Sequence, residues 1–98
     1  MSTLEKIRLL VLSDKVIYKY HPVLEKLSEI SFRRNLNLTE DDIVNVILTG
    51  EIVNFFDNDK RGRRYAIGGL ALDGKTLLEI VCRIENELVI ITVYEPYF

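Results

Sequence analysis

Lys60, Arg61, Arg63 and Arg64 fill four of five consecutive positions, and Arg83 follows further along, in a chain whose net charge is only −2. A cationic cluster on a slightly acidic molecule needs a local explanation, because bulk charge cannot supply one. Phosphate is the commonest target for a group of forked guanidinium donors. A solvated loop kept soluble by charge is the plainer alternative. His21 is the sole imidazole and Cys82 the sole thiol in 98 residues. His21 is therefore the natural acid or base at neutral pH. One histidine and one cysteine cannot build a structural zinc site or an intrachain disulfide, so no metal and no cofactor is expected.

The remaining composition is that of a single globular domain over residues 1–98, 48% hydrophobic and 29% charged. No apolar run approaches the roughly 20 residues of a membrane span. Glu5, Lys6 and Arg8 interrupt any secretory leader. A lone cysteine fits a reducing compartment, so a cytoplasmic location is expected. A sequence pI near 5.4 argues against wrapping nucleic acid wholesale, though not against a focused basic patch.

Several elements must position these side chains. Ser2 and Glu5 have capping-box spacing, with Leu4, Ile7, Leu10 and Val11 on one helical face, yet residues 7–12 would also suit a strand. Residues 15–20 alternate as a short extended segment. His21-Pro22 opens a helix that fades near Arg34. Thr39 caps the next helix, with Glu40, Asp41 and Asp42 at its positive end and Gly50 as its stop. Leu38 and Ile43 stand at the staple positions, and Ile43, Val44, Val46, Ile47 and Leu48 face inward. Four strands follow at 52–56, 64–72, 76–84 and 88–94, joined through Asp57-Asn58-Asp59, Asp73-Gly74 and Glu85-Asn86. The expected fold is α+β: two or three N-terminal helices packed on one face of a four-stranded antiparallel sheet.

Alternation assigns faces. With two-residue loops at Asp73-Gly74 and Glu85-Asn86, Tyr65, Ile67, Gly69, Ala71, Leu78, Ile80, Cys82, Ile84, Val89, Ile91 and Val93 lie under the helices. The opposite face carries Arg64, Ala66, Gly68, Leu70, Leu77, Glu79, Val81, Arg83, Leu88, Ile90, Thr92 and Tyr94. In that register Arg64 lies opposite Arg83, and Glu79 opposite Thr92.

A set of local stretches is now ordered along the chain. His21 stands beside a short helix, and Thr39-Glu40-Asp41-Asp42-Ile43 opens a helix that ends Thr49-Gly50-Glu51-Ile52-Val53. A basic loop precedes Tyr65-Ala66-Ile67-Gly68-Gly69, and Val89-Ile90-Ile91-Thr92-Val93-Tyr94-Glu95-Pro96 closes the series. Together they resemble the domain of unknown function 4258 family, grouped with RelE- and BrnT-like ribonuclease toxins. The resemblance covers roughly residues 18–96 and leaves 1–17 as an N-terminal extension. It implies a RelE/barnase-like arrangement and a metal-independent endoribonuclease. His21 matches the family's histidine, Arg64 (or Arg63) its strand-associated arginine and Thr92 its C-terminal threonine. Where family members usually carry an arginine a turn after the histidine, this chain has Glu25 and Lys26.

For such chemistry His21 is the candidate base, since a helix start favours neutral imidazole. Arg64 and Arg83 would hold the phosphate, while Lys60, Arg61 and Arg63 guide the RNA strand. Tyr94 could give up a proton or stack a base, Thr92 could orient either group, and Glu79 is a second base or a partner of Arg83. Plainer roles exist for each: a helix-end cap for His21, and a hydrophobic tail of Tyr94, Tyr97 and Phe98. Two function classes result. One is a toxin-like endoribonuclease acting on RNA and held by an antitoxin-like protein partner. The other is a non-catalytic module whose Leu70, Leu77, Val81, Leu88 and Ile90 form a homodimer or partner surface. Mild acidity favours the second class, and the resemblance favours the first.

Overall fold

The computed structural model describes residues 1–96; Tyr97 and Phe98, expected to pack as a tail, lie outside the described residues. Its elements run α1 (Thr3–Leu12), β1 (Val16–Tyr18), α2 (Tyr20–Arg34), α3 (Glu40–Thr49), β2 (Glu51–Phe56), β3 (Arg64–Leu70), β4 (Leu77–Ile84) and β5 (Leu88–Tyr94). The α+β class holds. The sheet, however, has five strands in the order β1-β5-β4-β3-β2, and β1 runs parallel to β5. The extended segment expected at 15–20 contains β1, but the four-stranded antiparallel expectation left it out of the sheet, because a parallel edge strand carries no hairpin signal.

Helix starts are set by the residues singled out for capping. The Ser2 hydroxyl accepts from the Glu5 N–H, and the Glu5 carboxylate accepts from the Ser2 N–H. The helix alternative thus wins for the first segment. At α3 the capping box is formed by Thr39 and Asp42, with Thr39 N–H donating to Asp42 Oδ2 at 2.8 Å. Asp42 is buried, and its other oxygen accepts the Leu72 N–H, which ties this helix start to the β3–β4 connection. α2 begins at Tyr20, one residue before the expected opening, and ends on Asn35 in left-handed geometry.

One continuous core lies between the helices and one sheet face. It takes Ile7 from α1, Val23, Leu27 and Ile30 from α2, Ile43, Val46 and Ile47 from α3, and Ile67, Leu78, Ile80 and Cys82 from the sheet. Residues before 18 are built into this same core, and the Arg8 guanidinium donates to Ile47 O at 3.0 Å and Gly50 O at 2.6 Å, satisfying carbonyls at the end of α3. Burial pushes the Cys82 thiol up to about 12, so it stays an uncharged core group, as expected.

The β3–β4 register is the expected one, with Arg64 opposite Arg83. The β4–β5 register is not. The connection has three residues, closed by Glu85 N–H to Glu87 O, so Ile84 faces Leu88. That one extra residue turns Leu88 and Ile90 into the core and puts Val89 opposite Arg83, reversing the expectation for all three. A bulge at Ile91 then restores the original parity, and beyond it Thr92 faces Val81 while Tyr94 faces Glu79. Glu79 is therefore paired with Tyr94, not Thr92.

Gly50 is needed for close approach: a Cβ there would sit 2.2 Å from Gly68 O and 2.6 Å from Val46 O, both backbone atoms. Gly74 is needed for conformation, having φ of +69° with open space around it. Gly50→Ala is expected to lower stability in urea by about 3 kcal/mol through overpacking. Gly74→Ala should lower it by about 1–2 kcal/mol, the left-handed cost alone.

Candidate functional site

The cationic loop folds back over the sheet face that no helix covers. Arg83 projects from β4 onto this face, yet its side chain is only 2% exposed. Its charge is matched on two sides: Nη1 donates to Asp59 Oδ2 at 2.7 Å, while Nε and Nη2 both donate to Glu85 Oε2 at 2.9 and 2.7 Å. Arg64, across the register pair, donates from Nε to that same Asp59 Oδ2 at 2.8 Å. Two guanidinium groups from neighbouring strands thus converge on a single carboxylate oxygen. Arg64 is 40% exposed, and its two Nη groups have no hydrogen-bond partner among the described residues.

Alternation explains the placement. Arg83 and Glu85 are two apart in the chain and lie toward the same side. Asp59 is delivered by the loop between β2 and β3, whose turn is made locally: Asp59 Oδ1 accepts the Arg61 N–H and Asp59 O accepts the Gly62 N–H. The Arg61 N–H, then Arg64, hold the Asp59 carboxyl down at about 2. At the stem of the loop Arg63 pairs with Asp57 at 2.5 Å and lies 4.4 Å from the centre of the Phe55 ring. Lys60 and Arg61 point into solvent.

Beside the Arg64–Asp59–Arg83 cluster opens a cleft of about 440 Å³ lined by Phe56, Asn58, Asp59, Arg64, Val81 and Thr92. That volume falls within the range of about 300–1,000 Å³ usual for ligand clefts. Further along the same face Tyr94 stands opposite Glu79 across the β4–β5 pair; burial first, and then the neighbouring Glu79 carboxylate, push the phenol up to about 12. Arg64 and Thr92 line the same cleft with Arg83 beside Arg64, while Tyr94 and Glu79 lie further along that face, four residues from the Arg64–Arg83 pair. His21 is elsewhere. It is exposed in the first turn of α2, directly after β1, whereas Arg64 opens β3. Those two strands are three spacings apart in the sheet order, roughly 14 Å.

Sequence reasoning missed three carboxylates. By sequence alone Asp59 is only a turn residue, although it lies five positions before Arg64. Glu85 is likewise a turn residue by sequence, although it stands a period of two from Arg83. Glu95 was not singled out at all: its side chain is 2% exposed and is gripped by Arg33 at 2.5 Å and Arg34 at 2.6 Å, fastening the end of the sheet to the end of α2. Burial would raise the Glu95 carboxyl, but the hydrogen bonds from Arg34 and Arg33 outweigh it and keep it below its ordinary range.

The family described as domain of unknown function 4258 (DUF4258) matches residues 30–95, about two-thirds of the chain. The chain belongs to this family. The matched stretch takes in the C-terminal end of α2, all of α3 and strands β2 to β5, including every residue of the cleft. No curated protein and no solved structure matches the chain. Among the described residues no helix is long and apolar enough to cross a membrane.

Three carboxylates held by hydrogen bonds, one on this face and two elsewhere, make a pH dependence. Asp59 and Asp73 both fall from 3.8 to about 2 in the folded chain, and Glu95 is also depressed. A depressed folded value contributes stability that is complete above the unfolded value and lost as pH falls through the folded one. Thermal melts are therefore expected to be level from neutrality to about pH 4, then to drop as pH approaches 2. Asp59→Asn together with Asp73→Asn should flatten part of that drop.

Proposed function

We propose that this DUF4258 domain is a metal-independent endoribonuclease of the toxin-like kind, which takes RNA phosphate at the cleft on its uncovered sheet face. The observation that carries the reading is the convergence of Arg64 and Arg83 on one oxygen at the edge of an open cleft. Arg64, with free Nη donors, is the phosphate ligand, and Thr92 orients the bound group. Glu79 takes the proton from the ribose 2′-OH as that oxygen attacks phosphorus. Arg64 stabilises the charge on the phosphorane, and Tyr94, kept protonated by its raised value, gives its proton to the departing 5′-oxygen. The bond from 2′-oxygen to phosphorus forms as the bond to the 5′-oxygen breaks. Proton exchange with water then takes the proton from Glu79 and returns one to Tyr94, which resets the site. Lys60, Arg61 and Arg63 line the approach. Acting on RNA would put the domain in the cytoplasm, with an antitoxin-like protein as its natural partner.

A second reading has its own support. Val53, Leu70 and Leu77 are exposed on this same face, and Asp59 and Glu85 neutralise the cations there. A non-catalytic module that buries the face against a partner or a second copy would use the same surface.

Purified protein is expected to cut single-stranded RNA in EDTA and to leave 2′,3′-cyclic phosphate ends. Arg64→Ala should reduce the rate by about 10²-fold or more, the usual cost of one oxyanion donor. Thr92→Val and Tyr94→Phe should also lose activity, while His21→Ala should keep it. Uncut RNA combined with a dimer in light scattering that Leu77→Glu dissociates would favour the second reading. Leu88→Glu is unsuitable for that test, because Leu88 is a core residue.

A further inference from the structure

The Asp59 carboxylate is the partner that Arg64 and Arg83 share. Its Oδ2 atom receives Arg64 Nε and Arg83 Nη1 together, at 2.8 and 2.7 Å. Two guanidinium groups aimed at one oxygen make an arrangement suited equally to a phosphate oxygen. We infer that the Asp59 seat is an oxyanion site, which the protein's own loop fills until an incoming phosphate displaces it. This deepens the reading of the cleft given above and rests on it.

Three features make the seat separable from its occupant. Arg83 is anchored from behind by Glu85, which takes both Nε and Nη2, so its Nη1 edge stays presented without Asp59. Asp59 belongs to a segment, residues 57–63, that has no strand pairing of its own. Its other bonds, to Arg61 and Gly62, lie within that segment and can travel with it. Gly62, at φ of +124°, holds a backbone conformation that other residues would resist and lets the segment turn there. Finally, Asp59 forms one wall of the cleft, so its withdrawal extends the cleft to Arg83.

The competition is uneven in the resting protein. A carboxylate tethered a few residues away acts at an effective concentration in about the millimolar range, so a free anion meets a blocked seat. A phosphodiester has further acceptor oxygens for the uncommitted Nη groups of Arg64, which Asp59 leaves unused. Asp59 thereby sets a threshold: weak anions are refused, and a polynucleotide held also by Lys60 and Arg61 is admitted.

The test compares wild type, Asp59→Asn and Asp59→Asn with Arg64→Ala, each titrated with inorganic phosphate by calorimetry and assayed for RNA cleavage. Asp59→Asn keeps the shape and removes the competing charge. Its dissociation constant for phosphate is expected to fall at least about tenfold below wild type, with the gain lost when Arg64 is also replaced. Because Asp59→Asn removes a charged partner of Arg83, thermal unfolding gives a second readout: phosphate should raise the melting temperature of the variant more than that of wild type. Equal phosphate affinities, or a destabilised variant that phosphate does not restore, would overturn the inference and leave Asp59 a structural partner. Tighter phosphate binding without RNA cleavage in any form would uphold the oxyanion seat and overturn the ribonuclease reading. Cleavage that depends on Arg64 while phosphate affinity ignores Asp59 would do the reverse.

Discussion

A guanidinium group buried in a sheet face dictates much of this molecule. Arg83 is almost wholly withdrawn from water, and an unpaired charge in such a place would be unaffordable. Its position therefore demands carboxylates on the same face, and they come from two different connections. Glu85 reaches it from the three-residue turn after β4, and Asp59 from the long loop before β3. Each loop is fastened where it lies by the same cation. The lengths of these connections thus have a physical reason beyond joining strands.

Charge pairing also explains how a slightly acidic chain carries a basic loop without repelling itself. Arg63 meets Asp57, Arg64 and Arg83 share Asp59, and Arg33 and Arg34 close on Glu95. Exposed pairs such as Arg63–Asp57 contribute only about 0–1 kcal/mol each. Buried ones do little for net stability but are costly to break on one side, so they fix geometry more than they add strength. Glu95 and its two arginines lock the far end of β5 to α2. Arg83 and its carboxylates hold the loop over the uncovered face. Between these two fixed points lie Thr92, Tyr94 and Glu79, the polar groups that the sheet presents beside the cleft.

The helical layer was legible in the sequence because its signals are local. The Ser2 and Thr39 capping boxes sit where the sequence puts them, and of the apolar α3 positions Ile43, Val46 and Ile47 are buried while Val44 and Leu48 are only half-buried. The β3–β4 pairing was legible too, since Asp73-Gly74 fixes its register, and with it the meeting of Arg64 and Arg83. Apart from the parallel edge strand β1, what failed was whatever depends on one residue more or less. The turn at residues 85–87 and the bulge at Ile91 each shift the register, so Leu88 and Ile90 exchange faces with Val89 while Thr92 and Tyr94 keep theirs. Val, Ile and Leu fill β5 almost continuously, so no polar residue marked the slip. The site was half legible. Its cations announced themselves as a cluster, but their partners came from turn positions, where aspartate and glutamate are ordinary turn formers.

The bridging of Arg64 and Arg83 by Asp59 can be read directly from nitrogen-15 spectra of the arginine side chains in the unliganded protein at neutral pH. The account predicts that Arg83 shows separate, slowly exchanging Nη protons with hindered rotation, and that the Arg64 Nε proton is also protected. Averaged, rapidly exchanging signals from both residues would contradict it.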